Sequence, residues 1–157
     1  MANEEQSGTT RQSENSPSVA AWFAGRLPDD LFVDTPTVTV DREEIVVIGR
    51  IGDPPTSDGD DAALRQAEAG RIARFRESTR KQRMDVARDA EHRFDRKVAW
   101  GVICGETEQL FTHLAVPVMT RLRQPQRRVL DTLVAAGVAR SRADALAWCV
   151  KLVGQHT

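Results

Sequence analysis

The sequence has few aromatic residues and few cysteines. Aromatics make up 5% of its 157 residues, Tyr is missing, and only Cys104 and Cys149 carry thiols. The core must therefore be mainly aliphatic. Because both cysteines lie within apolar runs and no C-x-x-C spacing occurs, we interpret them as small buried hydrophobic residues in a reducing cytosol. A disulfide or a metal site is the alternative.

Long hydrophobic runs are also missing. No apolar stretch approaches the roughly 18 residues of a membrane-spanning helix. The N-terminus has no basic stretch leading into an apolar one, which is the pattern of a secretory signal. We therefore expect a cytoplasmic protein without membrane contact.

Motifs for catalysis and for metal or phosphate loops are absent. The three histidines, His92, His113 and His156, do not have the spacing of a zinc site. The acidic pairs Glu43-Glu44 and Asp60-Asp61 are adjacent in sequence, so their side chains point apart on a strand or a helix. Neither a G-x-x-x-x-G-K-[ST] nor a G-x-G-x-x-G stretch occurs. We predict no enzymatic activity, no cofactor and no metal.

The net charge of −1 conceals a strong asymmetry. Residues 1–62 carry 13 acidic side chains and 4 arginines, whereas residues 63–157 carry 18 basic and 10 acidic side chains. Such a distribution favours a polyanionic partner for the C-terminal part. A solvated surface of mixed charge is the alternative, and the acidic half could also mask the basic half.

The pattern of apolar residues predicts an α+β fold. Residues 1–18 are polar and are expected to form a disordered tail, and residues 19–114 an α+β module. In that module, Thr37–Ile51 and Lys97–His113 indicate two hairpins that form a small antiparallel sheet, with a long helix between them. A helix from Asp61 to about Asp95 would be roughly 50 Å long, so it must protrude, kink near residues 78–83 or pair with a partner.

Residues 115–157 indicate a strand followed by two helices. The strand, Ala115–Leu122, alternates apolar side chains. The first helix, Pro125–Ala136, ends at Gly137. Ser141 begins the second helix, Ser141–Val153, with an acid three residues later at Asp144, which is the spacing of a capping box.

This segment resembles the ribbon-helix-helix proteins of the Arc, MetJ and CopG type. The resemblance rests on Arg121-Leu122 followed by Leu130-Asp131, and on the stretch from Gly137 through S-R-A-D-A-L to Leu146. It implies a homodimer in which one strand from each chain forms a ribbon in the DNA major groove. The implied dimer interface contains Val116, Val118, Leu122, Leu130 and Leu146.

The resemblance also implies DNA contacts. Pro117, Met119 and Arg121 would face outward from the ribbon, and Ser141 and Arg142 would hold a phosphate. Six arginines lie within residues 121–142, where Asp131 is the only acid. Those at a helix start oppose the helix dipole, which favours an anionic partner, although ion pairs with the acidic half are the alternative. The predicted DNA-binding residues are Met119, Arg121, Arg123, Arg127, Arg128, Ser141 and Arg142.

These observations lead to one expected function and one alternative. The expected function is a DNA-binding homodimer of the cytoplasm and nucleoid, acting as a transcription regulator or a nucleoid-associated protein. The alternative is a dimeric adaptor for another protein or for RNA, because Pro117 and Met119 are poor readers of bases and Arg123 replaces the proline usual in the family. The whole chain is also similar to an actinobacterial protein family, which by itself implies no activity.

Overall fold

A computed structural model describes residues 7–55 and 59–156 of the chain. The chain divides into two compact units, Met1–Val116 and Pro117–Thr157. Within the described residues, the first unit holds a four-stranded sheet and three helices, and the second holds two helices. The α+β class expected from the sequence is confirmed.

The sheet consists of two hairpins placed side by side. Strands β1 and β2 pair antiparallel, as do β3 and β4, so both predicted hairpins form. In the first turn, the Asp41 carboxylate accepts hydrogen bonds from the backbone N–H groups of Glu43 and Glu44, at 2.7 and 2.8 Å. This is the local bonding by which Asp favours turns. The strands are β1 Thr37–Val40, β2 Glu44–Arg50, β3 Lys97–Cys104 and β4 Thr107–Leu110.

The relative direction of the two inner strands, one from each hairpin, was predicted wrongly. Strand β2 pairs with β3 in parallel, from Glu44 opposite Lys97 to Arg50 opposite Ile103, so the sheet is mixed rather than antiparallel. A helical connection between two strands carries the chain back to the edge where it began, and the second strand then runs in the same direction as the first. The residues of a hairpin carry no signal of this direction.

The helical stretch between the hairpins is interrupted. Helices α2 (Asp61–Ser78) and α3 (Arg80–Phe94) meet at Thr79, which is where the sequence allowed a kink. Asp60 caps α2, because its carboxylate accepts the Ala63 N–H at 2.8 Å. The break lets both helices pack against the sheet, with Ile72, Phe75 and Val86 among the buried side chains.

The expected disordered tail is replaced, from residue 7 onward, by a helix. Helix α1 spans Ser7–Arg26, while residues 1–6 of the predicted tail lie outside the described residues. Val19 and Phe23, one turn apart, are fully buried in the core of the first unit. Once these two buried side chains fix one part of the helix, each residue added to it gains a backbone hydrogen bond at a small cost in conformational entropy. The polar composition of the tail gives no sign of this.

A buried carboxylate connects α2 to the second hairpin. Glu68 is 1% exposed and accepts hydrogen bonds from the Glu106 N–H and the Thr107 hydroxyl, at 3.2 and 3.4 Å. Arg65 forms an ion pair with it. The adjacent Gly105 has φ +59, and a Cβ there would collide with the Glu68 carboxylate. Glu68 is thus structural, and it requires glycine in the turn.

Within residues 117–156, the second unit contains helices but no strand. Helices α4 (Gln124–Ala135) and α5 (Arg142–Gln155) form, whereas the strand predicted at Ala115–Leu122 is an extended segment without strand pairing. A lone strand has no neighbour to supply its backbone partners within one copy of the chain. The ribbon-helix-helix arrangement therefore stays a prediction.

Among the described residues, no helix is both long enough and apolar enough to cross a membrane.

Candidate nucleic-acid interface

The start of α4 is bonded to the extended segment before it. The Arg123 backbone N–H donates to the Gln126 side-chain oxygen at 3.1 Å, which satisfies one free donor at the helix start. Arg127 donates through Nη1 to the Leu122 carbonyl at 2.6 Å. Arg128 is exposed. Among the described residues, Arg123, Arg127 and Arg128 form no ion pair, and Arg127 acts on an acid only at longer range, where its charge helps to lower the pKa of Asp131.

The end of α4 explains the chain reversal that follows. Gly137 has φ +78, which suits glycine at the position after a helix C-cap. Its N–H donates to the Val134 carbonyl at 3.1 Å, and the Val138 N–H donates to the Leu133 carbonyl at 3.0 Å. These two bonds form a Schellman motif. The predicted helix end at Gly137 is confirmed.

The cap of α5 differs in part from the predicted capping box. The Ser141 hydroxyl accepts the Asp144 N–H at 3.1 Å, as predicted. The Asp144 carboxylate, however, accepts the N–H of Arg140 at 2.9 Å rather than that of Ser141. The short Asp side chain thus bonds one residue before the N-cap, and it also lies 3.8 Å from the Arg140 guanidinium. Ser141 is exposed at the helix start, where an anion would bind.

Arg142 is held by an acid that the sequence did not identify as its partner. Its Nε and Nη2 donate to the two carboxylate oxygens of Asp131, at 2.8 and 3.0 Å. This bidentate pair connects the start of α5 to the middle of α4. The hydrogen bond from Arg142 lowers the pKa of Asp131, and the same bond raises the pKa of Arg142. The partner lies within the second unit, not in the acidic half.

The extended segment presents both predicted base-contacting side chains to solvent. Met119 is 95% exposed and Arg121 is exposed without an ion pair to any described residue. Backbone groups of residues 112–121 make no hydrogen bond to another described residue. The segment therefore offers a row of unpaired N–H and C=O groups, which is the template for pairing with another strand.

The predicted dimer-interface residues fall into two groups. Leu130 is buried, and Leu122 and Leu146 are half-buried beside it in the small core of the second unit. Val116 and Val118 are exposed, Val118 at 87%. The structure thus brings the three leucines together within one copy and leaves the two valines uncovered.

That small core covers only part of the unit's apolar surface. Leu130, Ala139 and Ala145 are its only buried hydrophobic residues among those described. Larger apolar side chains on the two helices and in the turn between them remain exposed, so the unit presents uncovered apolar surface. They are Val129, Val138, Trp148, Val150, Leu152 and Val153.

No group of three or more His, Cys, Asp or Glu side chains within residues 7–55 and 59–156 is arranged to hold a metal ion. Both cysteines are free thiols, Cys104 buried and Cys149 half-buried. Burial raises the pKa of the Cys104 thiol, and the nearby Glu68 carboxylate raises it further. Cys104 therefore packs as the small hydrophobic residue that the sequence indicated.

Comparison with known proteins identifies two matching family models. Residues 17–110 match the Rv1265-like protein, N-terminal domain, and residues 123–157 match the Mb1296 C-terminal domain. No ribbon-helix-helix family matches. The boundary between the two matches falls in the exposed extended segment. No solved structure matches the chain.

Similar full-length proteins come from mycobacteria. The chain is 58% identical over 146 residues to Mb1296 of Mycobacterium bovis and to Rv1265 of Mycobacterium tuberculosis. The alignment covers 93% of this chain but 63% of each relative, so the chain spans less than two thirds of their length. The expected relationship to an actinobacterial family is confirmed.

Proposed function

The chain belongs to the Rv1265-like protein family, and we propose that it acts as a homodimer that binds DNA through residues 115–157. In this proposal it is a transcription regulator or a nucleoid-associated protein. The observation that carries the proposal is an extended segment with unpaired backbone groups, next to two helices that leave apolar side chains uncovered.

In the proposed dimer, each copy gains backbone hydrogen-bond partners and cover for its apolar side chains. Two extended segments, one from each copy, pair antiparallel and satisfy each other's backbone groups. Val116 and Val118 then turn inward onto the helices, where they extend the core around Leu130. Burying each of these valine side chains stabilises the dimer by about 1.5–3 kcal/mol. This contribution matters because the core of one copy has only three buried hydrophobic residues among those described.

The arginines support DNA as the partner. Arg123, Arg127 and Arg128 lie at the start of α4, where positive charge opposes the helix dipole by some tenths of a kcal/mol each. None of them forms an ion pair with a described residue, and only Arg127 interacts favourably with an acid, through a longer-range attraction to Asp131. A phosphate backbone passing that helix start would compensate all three.

The proposed binding is mostly electrostatic. On the outward face of the ribbon, Arg121 is the only side chain that donates well to base edges, because Pro117 and Met119 have no polar side-chain group. Phosphate contacts supply affinity and orientation but little discrimination between sequences. We therefore expect a steep dependence on salt and a small preference among duplexes.

The test is a gel-shift titration of random duplex DNA across a salt series, with dimer mass checked by light scattering. The Arg123→Ala/Arg128→Ala double variant should reduce the slope of log K against log salt by about four, since each copy of the dimer loses two phosphate contacts and each lost contact changes the slope by about one. The control is the Lys151→Ala/Arg140→Ala double variant, which removes the same number of positive charges. It should keep a slope closer to that of the wild type.

Two results would contradict this proposal. The first is a wild-type dimer that does not shift duplex DNA at low salt. The second is discrimination between unrelated duplexes by about a thousandfold or more, which would require base reading that electrostatic contacts do not provide.

A dimeric adaptor is the second candidate function. It is favoured by the high exposure of the apolar Met119 on the outward face and by the ion pair of Arg142 with Asp131, which occupies the predicted phosphate anchor. In this candidate the dimer forms but binds another protein or RNA. Dimer formation without duplex binding, unaffected by the double variant, would favour it.

A further inference from the structure

The first unit contains a cavity of about 540 Å³ at the junction of α2 and α3. The end of α2, the start of α3 and the residues at the end of β4 surround it. Its apolar wall includes Ile72, Met84 and Phe111. The volume lies within the range of small-molecule sites, which is about 300–1,000 Å³.

One wall of the cavity carries a buried arginine without an acidic partner. Arg83 is 4% exposed. Its Nε donates to the Thr79 hydroxyl at 3.0 Å and its Nη2 donates to the Arg76 carbonyl at 2.7 Å. Among the described residues no carboxylate pairs with it, and its Nη1 makes no hydrogen bond. Burying a charge in this way is costly unless a counterion is present.

Two further arginines increase that cost. Arg76 and Arg80 also line the cavity, and neither forms an ion pair with a described residue. Burial lowers the pKa of Arg83, and repulsion from Arg76 and Arg80 lowers it further. Glu77 lines the same cavity but forms no ion pair with any of the three. The local charge is therefore strongly positive.

An aromatic ring fixes the position of two guanidinium groups. The Arg83 guanidinium lies 4.9 Å from the centroid of the Phe111 ring, and that of Arg76 lies 5.3 Å from it. Such contacts stabilise a cation at an aromatic face but do not neutralise it. Arg83, which is also held by its two hydrogen bonds, is thus in place before a ligand binds.

We propose that this cavity binds a small phosphorylated molecule. Its phosphate would accept hydrogen bonds from the guanidinium groups of Arg76, Arg80 and Arg83, since the planar donors of arginine match phosphate oxygens. A dianionic phosphate compensates three cations better than a single carboxylate does. The apolar part of the molecule would pack against Ile72 and Phe111.

A small ligand fits this site better than a nucleic acid. Arg83 is only 4% exposed, so a phosphate must enter the cavity to reach its guanidinium. A duplex backbone on the surface could contact only the exposed Arg76 and Arg80. The site consists of residues of the first unit and includes none of the residues proposed to bind DNA, so the two proposals can fail independently.

The experiment measures binding of phenyl phosphate to the full chain by calorimetry and by amide chemical shifts. Arg80→Gln should weaken binding about tenfold or more, because it removes charge-assisted hydrogen bonds from an exposed side chain without disturbing the core. Arg88→Gln is the matched control, since Arg88 is 78% exposed on the same helix and lies outside the cavity. It should bind within about twofold of the wild type.

Phenol tests whether the phosphate is needed, and it should bind far more weakly. An Arg83→Met variant, checked for folding by its amide spectrum, should lose binding while keeping the fold. The proposal is overturned if phenyl phosphate causes no shifts at about 10 mM, where a phosphate site of this kind should be at least half filled. It is also overturned if Arg80→Gln and Arg88→Gln weaken binding equally, or if only an oligonucleotide shifts the cavity residues.

Discussion

Two arginines of this chain occupy opposite environments. Arg142 is exposed and forms a bidentate pair with Asp131, whereas Arg83 is buried and has no carboxylate partner among the described residues. Sequence spacing identifies neither arrangement. Asp131 precedes Arg142 by eleven residues and lies on another helix, and Arg83 lies on a helix whose composition is that of a solvated surface. Only the packing of the elements shows which charge is compensated.

The Asp131–Arg142 pair predicts a specific dependence on pH. Because the folded pKa of Asp131 is lowered, its charged form stabilises the fold at pH above the ordinary value of about 4 and stops doing so as the pH falls through the lowered pKa. We expect the unfolding free energy of the second unit to decrease over that acidic range. Urea unfolding, followed through amide signals of α4 and α5, measures it.

Two variants serve as controls for this pH effect. Asp131→Asn should remove that part of the pH dependence, and Arg142→Gln should remove most of it, because the pKa is lowered mainly by the hydrogen bond from Arg142. If Asp131→Asn retains the full acid dependence of the wild type, other carboxylates are responsible and the pair contributes nothing measurable.

At the scale of elements, two adjacent residues of the extended segment can be compared for their contribution to the dimer. Val118 and Met119 are both exposed in one copy, at 87% and 95%. In a paired ribbon, adjacent side chains face opposite sides, so Val118 turns into the dimer core and Met119 faces outward. Val118→Ala should weaken the dimer about a hundredfold, since two carbons are lost from each of two copies at about 0.8 kcal/mol per carbon.

Met119→Ala is the matched control and should change the dimer dissociation constant by no more than about threefold. Sedimentation equilibrium on both variants gives the two constants. Equal effects of the two substitutions would show that the segment does not pair as a regular strand.

Local signals in the sequence predicted most of the elements. Asp41 in the first turn, Asp60 at the start of α2 and Gly137 after α4 each act within a few residues, so their roles could be inferred before the fold was known. The same holds for Ser141, whose hydroxyl caps α5. Features that depend on distant partners could not be inferred. The parallel pairing of β2 with β3 is set by the helices between them, and the cavity arginines meet only through the break at Thr79.

At the scale of the whole molecule, the two units differ in how much core they have. The first buries Trp100, Phe23 and Ile45 among many other side chains, whereas the second buries only three hydrophobic residues among those described. Because so small a core contributes little stability, we expect the second unit to gain stability from the proposed association. The proposed dimer therefore has a consequence for how the chain unfolds.

We expect two thermal transitions that respond differently to protein concentration. The transition of the second unit should move to higher temperature as concentration rises, because each tenfold increase favours the dimer by about 1.4 kcal/mol. The transition of the first unit should not move. Calorimetry over a hundredfold concentration range tests this, and Val118→Ala should reduce the shift. A single transition independent of concentration would argue against dimerisation through residues 115–157.

The parallel pairing of β2 with β3 also bears on how the chain folds while it is being synthesised. Each hairpin can close as soon as its own residues are available, but Glu44 must wait for Lys97, 53 residues further along. At about 5–20 residues per second, that interval lasts roughly 3–10 s. During it, the edge of β2 that will pair with β3 has no neighbouring strand, and nascent chains are then most exposed to aggregation and to chaperones. Slower translation of α2 and α3 would lengthen this period.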